Sequence, residues 1–96
     1  MTPDVPVELS RRAQRDLRSL SPPDRRRVGR ALTEVLPSDP LPENADDKAL
    51  SGRTPWRRLR VGELRILYRP LSSGRVVGRI IQRADLDRAV RTLPSP

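Results

Sequence analysis

Residues 53–69 read RTPWRRLRVGELRILYR, with Leu59, Val61, Leu64, Ile66, Leu67 and Tyr68 threaded between six arginines. Successive side chains of a strand point to opposite faces. Arg58 and Arg60 therefore share one face, and Leu59 and Val61 the other. Gly62-Glu63 falls where a tight turn is needed, because glycine readily supplies a positive φ. In the returning arm Arg65, Leu67 and Arg69 share a face, opposite Leu64, Ile66 and Tyr68. Such a hairpin must cover its apolar face and leaves guanidinium groups crowded on the other. Neighbouring strands lie about 4.8 Å apart, and like charges set side by side destabilise a sheet. This face suits anion binding better than it suits folding, since guanidinium forks match phosphate oxygens in bidentate geometry.

The flanking sequence supplies the cover. Val5, Val7 and Leu9 alternate with Pro6 and Glu8, a short strand that Pro6 confines to an edge or to its own start. From Ser10 the period changes: Ala13, Leu17 and Leu20 predict an amphipathic helix with Ser10 as its N-cap. Ser21-Pro22-Pro23-Asp24 punctuates the chain and opens a second helix. That helix carries Val28, Leu32, Val35 and Leu36 on one side and ends at Pro37. The short link predicts an antiparallel helical hairpin. Residues 37–47, PSDPLPENADD, read as a loop, which residues 48–52 close with Leu50 tucked inward.

Three strands are predicted after the loop: Trp56 to Val61, Leu64 to Arg69 ended by Pro70, and Arg75 to Gln82. Asp85 then caps a last helix carrying Leu86, Ala89, Val90 and Leu93. The predicted fold is α+β, of order β-α-α-β-β-β-α. A helical hairpin packs on one face of a small antiparallel sheet, completed by the first strand. Residues 1–96 form a single domain, with 93–96 as a frayed tail. Alternation puts Leu59, Val61, Leu64, Ile66, Tyr68, Val76 and Ile80 under the helices. It puts Arg58, Arg60, Arg65, Arg69, Arg75, Arg79 and Arg83 on the opposite face.

Composition narrows the function. The 96 residues include no Cys and no His, which leaves no disulfide, no thiolate metal site and no Ser–His dyad. No metal or cofactor is expected. No apolar run approaches the 18 or so residues of a membrane span, and the N-terminus lacks the pattern of a signal peptide. The expected location is cytoplasmic. Residues 1–51 hold nine basic and nine acidic side chains, whereas residues 52–96 hold eleven arginines against Glu63, Asp85 and Asp87. The whole excess of +8 thus lies in the second half, the expected face for a polyanion. Arg58, Arg60, Arg65 and Arg83 are the leading anion-binding group. The competing expectation pairs these arginines with carboxylates of residues 1–51. Trp56 is expected to pack at the sheet edge rather than stack on a base, and Tyr68 to lie in the core.

The run KALSGRTPWRRLRVGELRILYRPL, followed by VVGRIIQRADLDRA, resembles the RelE/ParE superfamily of toxins from type II toxin–antitoxin modules. Leu50, Gly52, Arg58 to Gly62, Arg65-Ile66 and Tyr68 carry the resemblance, and the element order matches over nearly the whole chain. RelE-type members cleave mRNA in the ribosomal A site, and ParE-type members poison DNA gyrase. The resemblance implies catalytic roles for Arg60, Arg65 and Arg83. Arg57, Arg58, Arg69 and Arg79 are the candidate substrate-binding cations. RelE-type nucleases often carry a Tyr, sometimes with a His, after the last of these arginines. This chain has neither there.

Attack by a 2′-OH needs a proton acceptor and charge stabilisation on the phosphorane. Arginine is a poor base because its pKa exceeds 12. The candidate proton-transfer groups are Glu63, Asp85 and Asp87, although Glu63 also reads as a solvated turn residue and Asp85 as an N-cap. The leading expectation is a ribosome-dependent mRNA endonuclease. A gyrase inhibitor without nuclease chemistry and an inactive binding module are the alternatives. In each case the expected partner is an acidic antitoxin. The toxin–antitoxin complex would be a higher oligomer that binds its own operator DNA.

Overall fold

A computed structural model describes residues 4–94. The elements are β1 (Val7–Leu9), α1 (Arg11–Ser19), α2 (Pro22–Arg30), β2 (Asp47–Ala49), β3 (Arg57–Val61), β4 (Leu64–Leu71), β5 (Gly74–Gln82) and α3 (Leu86–Val90). A π-helical turn, Ala31–Val35, continues α2, and a 3-10 turn, Arg83–Asp85, leads into α3. The sheet order is β1-β5-β4-β3-β2. The α+β hairpin-on-sheet architecture stands as the sequence predicts, with two corrections. β1 pairs with β5 in parallel, so the sheet is mixed. The segment Asp47–Ala49, read as the end of a loop, is a fifth strand antiparallel to β3.

Local chemistry explains the helices. Ser10 accepts from the Ala13 N–H at 3.0 Å and caps α1. Pro22 and Pro23 occupy the first turn of α2, where no amide donor is needed. The two helices cover one face of the sheet, where Ala13, Val28, Ala31 and Leu36 meet Leu59, Leu64, Ile66, Tyr68, Val77 and Ile80. The other face is covered by α3, with Leu50, Trp56, Leu67, Ile81, Ala89 and Leu93 as its core. Trp56 is buried there and donates from Nε1 to the Pro94 carbonyl at 3.2 Å. Leu93 is also buried, so the frayed tail does not begin at 93; residues 95–96 lie outside the described part.

β5 departs from simple alternation. Leu67 pairs with Arg79 but Tyr68 pairs with Val77, leaving Gly78 as an extra residue. The faces of residues 74–77 are therefore opposite to those expected. Val77, not Val76, enters the helix-side core. Arg75 also turns to the helix side and donates to the carbonyls of Leu36 and Ser38 after α2, the latter at 2.8 Å. Pro70 does not end β4, because it pairs with Arg75 near the last turn of the hairpin.

β1 is too short to cover β5, and α1 completes the edge. The Ser10 N–H and Oγ donate to the carbonyls of Val77 and Gly78, each at 2.9 Å. Asp16 accepts from the Ile80 N–H at 2.9 Å and from Arg79 Nε at 2.8 Å. On the opposite edge Asp47 accepts from Arg57 and from the Tyr68 hydroxyl. Burial, and then the hydrogen bond to Asp47, push the Tyr68 phenol well above its ordinary range.

A Cβ at Gly78 would lie 2.7 and 2.8 Å from Trp56 ring atoms. Gly78→Ala is therefore expected to destabilise by about 1–3 kcal/mol, measured by chemical denaturation; an unchanged midpoint refutes the packing described. Tyr68 holds its proton more tightly folded than unfolded. Its contribution is complete below the ordinary phenol value of 10.0 and is lost as pH rises above it. The stability difference between wild type and Tyr68→Phe should fall by about 1.4 kcal/mol per pH unit there. Urea titrations between pH 8 and 11.5 check this.

Candidate functional site

Arg58 and Arg60 project from the face of β3 that the helical hairpin leaves open. Arg65 of β4 sits directly opposite Arg60, and Lys48 of β2 directly opposite Arg58. The Arg83 N–H donates to the Glu63 carbonyl at 2.8 Å, which brings the end of β5 against the β3–β4 turn. Gly62 holds φ +60° in that turn. The result is a cleft of about 280 Å³ lined by Asp46, Lys48, Arg58, Arg60, Arg65, Arg83 and Leu86. The first residue of α3 thus forms one wall of an otherwise charged hollow.

Arg65 is the buried cation of the cleft, only 5% exposed. Its Nη1 donates to the carbonyls of Gly62 and Leu64 at 3.0 and 2.9 Å. Desolvation lowers its pKa below the usual arginine value, and Arg60, Arg58 and Arg83 lower it further. Among the described residues no carboxylate lies within salt-bridge distance of Lys48, Arg58, Arg65 or Arg83. A buried charge under like charges is costly unless something neutralises it. An anion with several oxygens relieves that repulsion and accepts several donors at once.

The remaining arginines divide differently. Arg57 lies on the helix face, where its Nη2 meets Asp47 at 2.8 Å, and this bond raises its pKa. It is removed from the cleft. Arg79 is held by Asp16 and donates to Thr92 Oγ1 at 3.0 Å, also outside the cleft. Arg69 lines a separate groove. Arg60 lines the cleft but also meets Asp46 at 3.8 Å. Carboxylates from residues 1–51 thus pair with Arg57, Arg60, Arg75 and Arg79, and leave the rest of the expected face without such partners.

None of the three expected proton-transfer groups lines the cleft. Glu63 is exposed in the turn. Asp85 occupies the N-cap position of α3 without a side-chain capping bond, and it faces Arg88 at 3.4 Å. Asp87 is exposed on α3. The carboxylate in the cleft is Asp46, which the sequence reading passed over together with Lys48. Asp46 also accepts the Arg60 N–H through its carbonyl at 2.9 Å. The alternation Asp46, Lys48 was visible, but it lay at the end of a Pro-rich acidic segment read as loop. Among the described residues no group of three or more acids converges that could hold a metal ion.

The model of the family described as ParE toxin of type II toxin-antitoxin system, parDE, matches residues 7–87. A Methanocaldococcus jannaschii protein with the provisional name toxin RelE1 is 35% identical over 72 residues, spanning 74% of this chain and 79% of that protein. The crystal structure of a RelB-RelE antitoxin-toxin complex from Methanococcus jannaschii superposes with a TM-score of 0.72. It is 21% identical and covers 85% of this chain and 96% of that one, a likeness of fold. Fold, arginine pattern and family match agree that this chain belongs to the RelE/ParE superfamily and is a toxin of a type II toxin–antitoxin system.

Proposed function

We propose that this toxin arrests translation as a RelE-like, ribosome-dependent mRNA endonuclease, acting in the cytoplasm. The observation that carries the reading is the convergence of Lys48, Arg58, Arg60, Arg65 and Arg83 on one cleft, with Arg65 buried at its base. In the proposed reaction the 2′-OH of one nucleotide attacks the adjacent phosphorus and its proton passes to Asp46. The non-bridging oxygens gather charge that Arg60, Arg65 and Arg83 stabilise. The P–O5′ bond breaks, leaving a 2′,3′-cyclic phosphate, and the 5′-oxygen takes a proton from solvent. Lys48 and Arg58 hold neighbouring phosphates. The ribosome supplies the orientation that a chain without His or a terminal Tyr lacks.

An acidic antitoxin is the proposed partner, supported by the shared fold with the toxin of a RelB-RelE complex. Its carboxylates would neutralise the cleft, and the assembled complex would bind operator DNA as a higher oligomer. A second reading, gyrase inhibition without chemistry, draws support from the ParE family match and from the absence of Glu63, Asp85 and Asp87 from the cleft lining. It predicts blocked supercoiling by the purified toxin.

Primer extension on toxin-arrested ribosomes distinguishes the two readings: cleaved mRNA is expected, and intact mRNA refutes nuclease action. Arg65→Met should lower cleavage by about 10²–10³-fold. It should leave the thermal midpoint unchanged or raised, since a desolvated cation without a carboxylate partner is removed. Asp46→Asn should lower cleavage by about 10²-fold or more, and Asp46→Glu should retain part of the activity.

A further inference from the structure

Asp46 and Lys48 line the arginine cleft from the chain segment that forms β2, and Asp47 stands between them. Successive side chains of a strand point to opposite faces, so Asp47 turns to the helix side of the sheet. There both oxygens of its carboxylate are engaged. Arg57 donates to Oδ2 from Nε at 3.0 Å and from Nη2 at 2.8 Å, and the Tyr68 hydroxyl donates to Oδ1. Tyr68 is buried in the helix-side core, and the Asp47 side chain is 15% exposed.

β2 has little else to hold that end in place. It is an edge strand of three residues, joined to the sheet through β3 alone. Lys48 and Ala49 are exposed, so the strand itself sets no apolar side chain in a core. Register is weakly specified in a strand without a buried face. Leu50, the next residue, is buried on the α3 side and fixes the C-terminal end of β2. Asp47 fixes the N-terminal end, next to Asp46.

We propose that Asp47, held by Tyr68 and Arg57, is a positioning residue for the cleft: it fixes the end of β2 from which Asp46 and Lys48 meet Arg58, Arg60, Arg65 and Arg83. The phenol and the guanidinium grip the carboxylate from two directions, and charge-assisted bonds of this kind are the strong ones. Asp47, Tyr68 and Arg57 are themselves absent from the cleft lining. They act on it from the opposite face of the sheet. The inference rests on the reading of the cleft as the anion site and adds the residues that set its geometry.

The probe is a single-stranded DNA oligonucleotide, which carries phosphates but no 2′-OH and is bound without being cut. Tyr68→Phe keeps both the ring and the net charge, and should weaken binding by about three- to tenfold. Asp47→Asn makes the net charge of +8 more positive. A field effect alone would tighten binding, whereas loss of the anchor should weaken it by a similar factor. The two explanations thus differ in sign. Added to Lys48→Ala, Tyr68→Phe should cost less than about twofold more, because it acts through the residue already removed. Arg57→Lys should recover part of the affinity lost in Arg57→Ala. Asp47 lies on an edge strand, so Asp47→Asn serves as the test where Tyr68→Phe lowers the thermal midpoint. Unchanged or tighter binding by Asp47→Asn overturns the proposal, and so does full additivity of Tyr68→Phe with Lys48→Ala. A wild-type protein that binds no oligonucleotide overturns the cleft reading together with this inference. Binding with additive losses overturns this inference alone.

Discussion

The extra residue at Gly78 governs the rest of the structure. Only glycine lets the Trp56 ring lie against β5 at this point, and the bulge reverses the faces on either side of it. Before the bulge Arg75 and Val77 face the helices. After it Ile80 faces the helices while Arg79 and Ile81 face α3. One residue therefore serves two cores. It completes the helix-side core with Val77 and sends Arg75 to the carbonyls that end the α2 segment, where a cation is favoured.

The charge distribution follows from that geometry. A basic sheet face is tolerable only if its cations are neutralised or held apart. Carboxylates from the first half of the chain do this for Arg57, Arg75 and Arg79, and partly for Arg60. Among the described residues Arg58, Arg65 and Arg83 receive none, and the turn at Gly62-Glu63 gathers them with Lys48. Burial of Arg65 under these charges works against folding and towards anion binding. Conflict between local stability and the surrounding field is characteristic of functional sites.

The two hollows on the α3 face differ in kind. The cleft is lined almost wholly by charge, and the groove combines apolar side chains with arginine. A short helix of five residues lies between them, covering the apolar centre with Ala89 and, at its flanks, Leu86 and Leu93. A phosphate backbone suits the first.

Local pattern was enough to determine the helical hairpin, the turn at Gly62-Glu63 and the inward face of β3 and β4. Period and turn chemistry act over a few residues and leave their mark in the order of side chains. The grouping of Arg58, Arg60, Arg65 and Arg83 was legible for the same reason. Tertiary structure alone decided the parallel pairing of β1, the bulge at Gly78 and the strand at Asp47–Ala49. It also decided which arginine meets which carboxylate. Asp16 and Arg79 are 63 positions apart in sequence, and no local pattern records such a meeting. Asp46 enters the cleft because β2 completes the sheet edge beside β3. That pairing depends on backbone hydrogen bonds between distant segments, to which the side-chain pattern of residues 37–47 bears no relation.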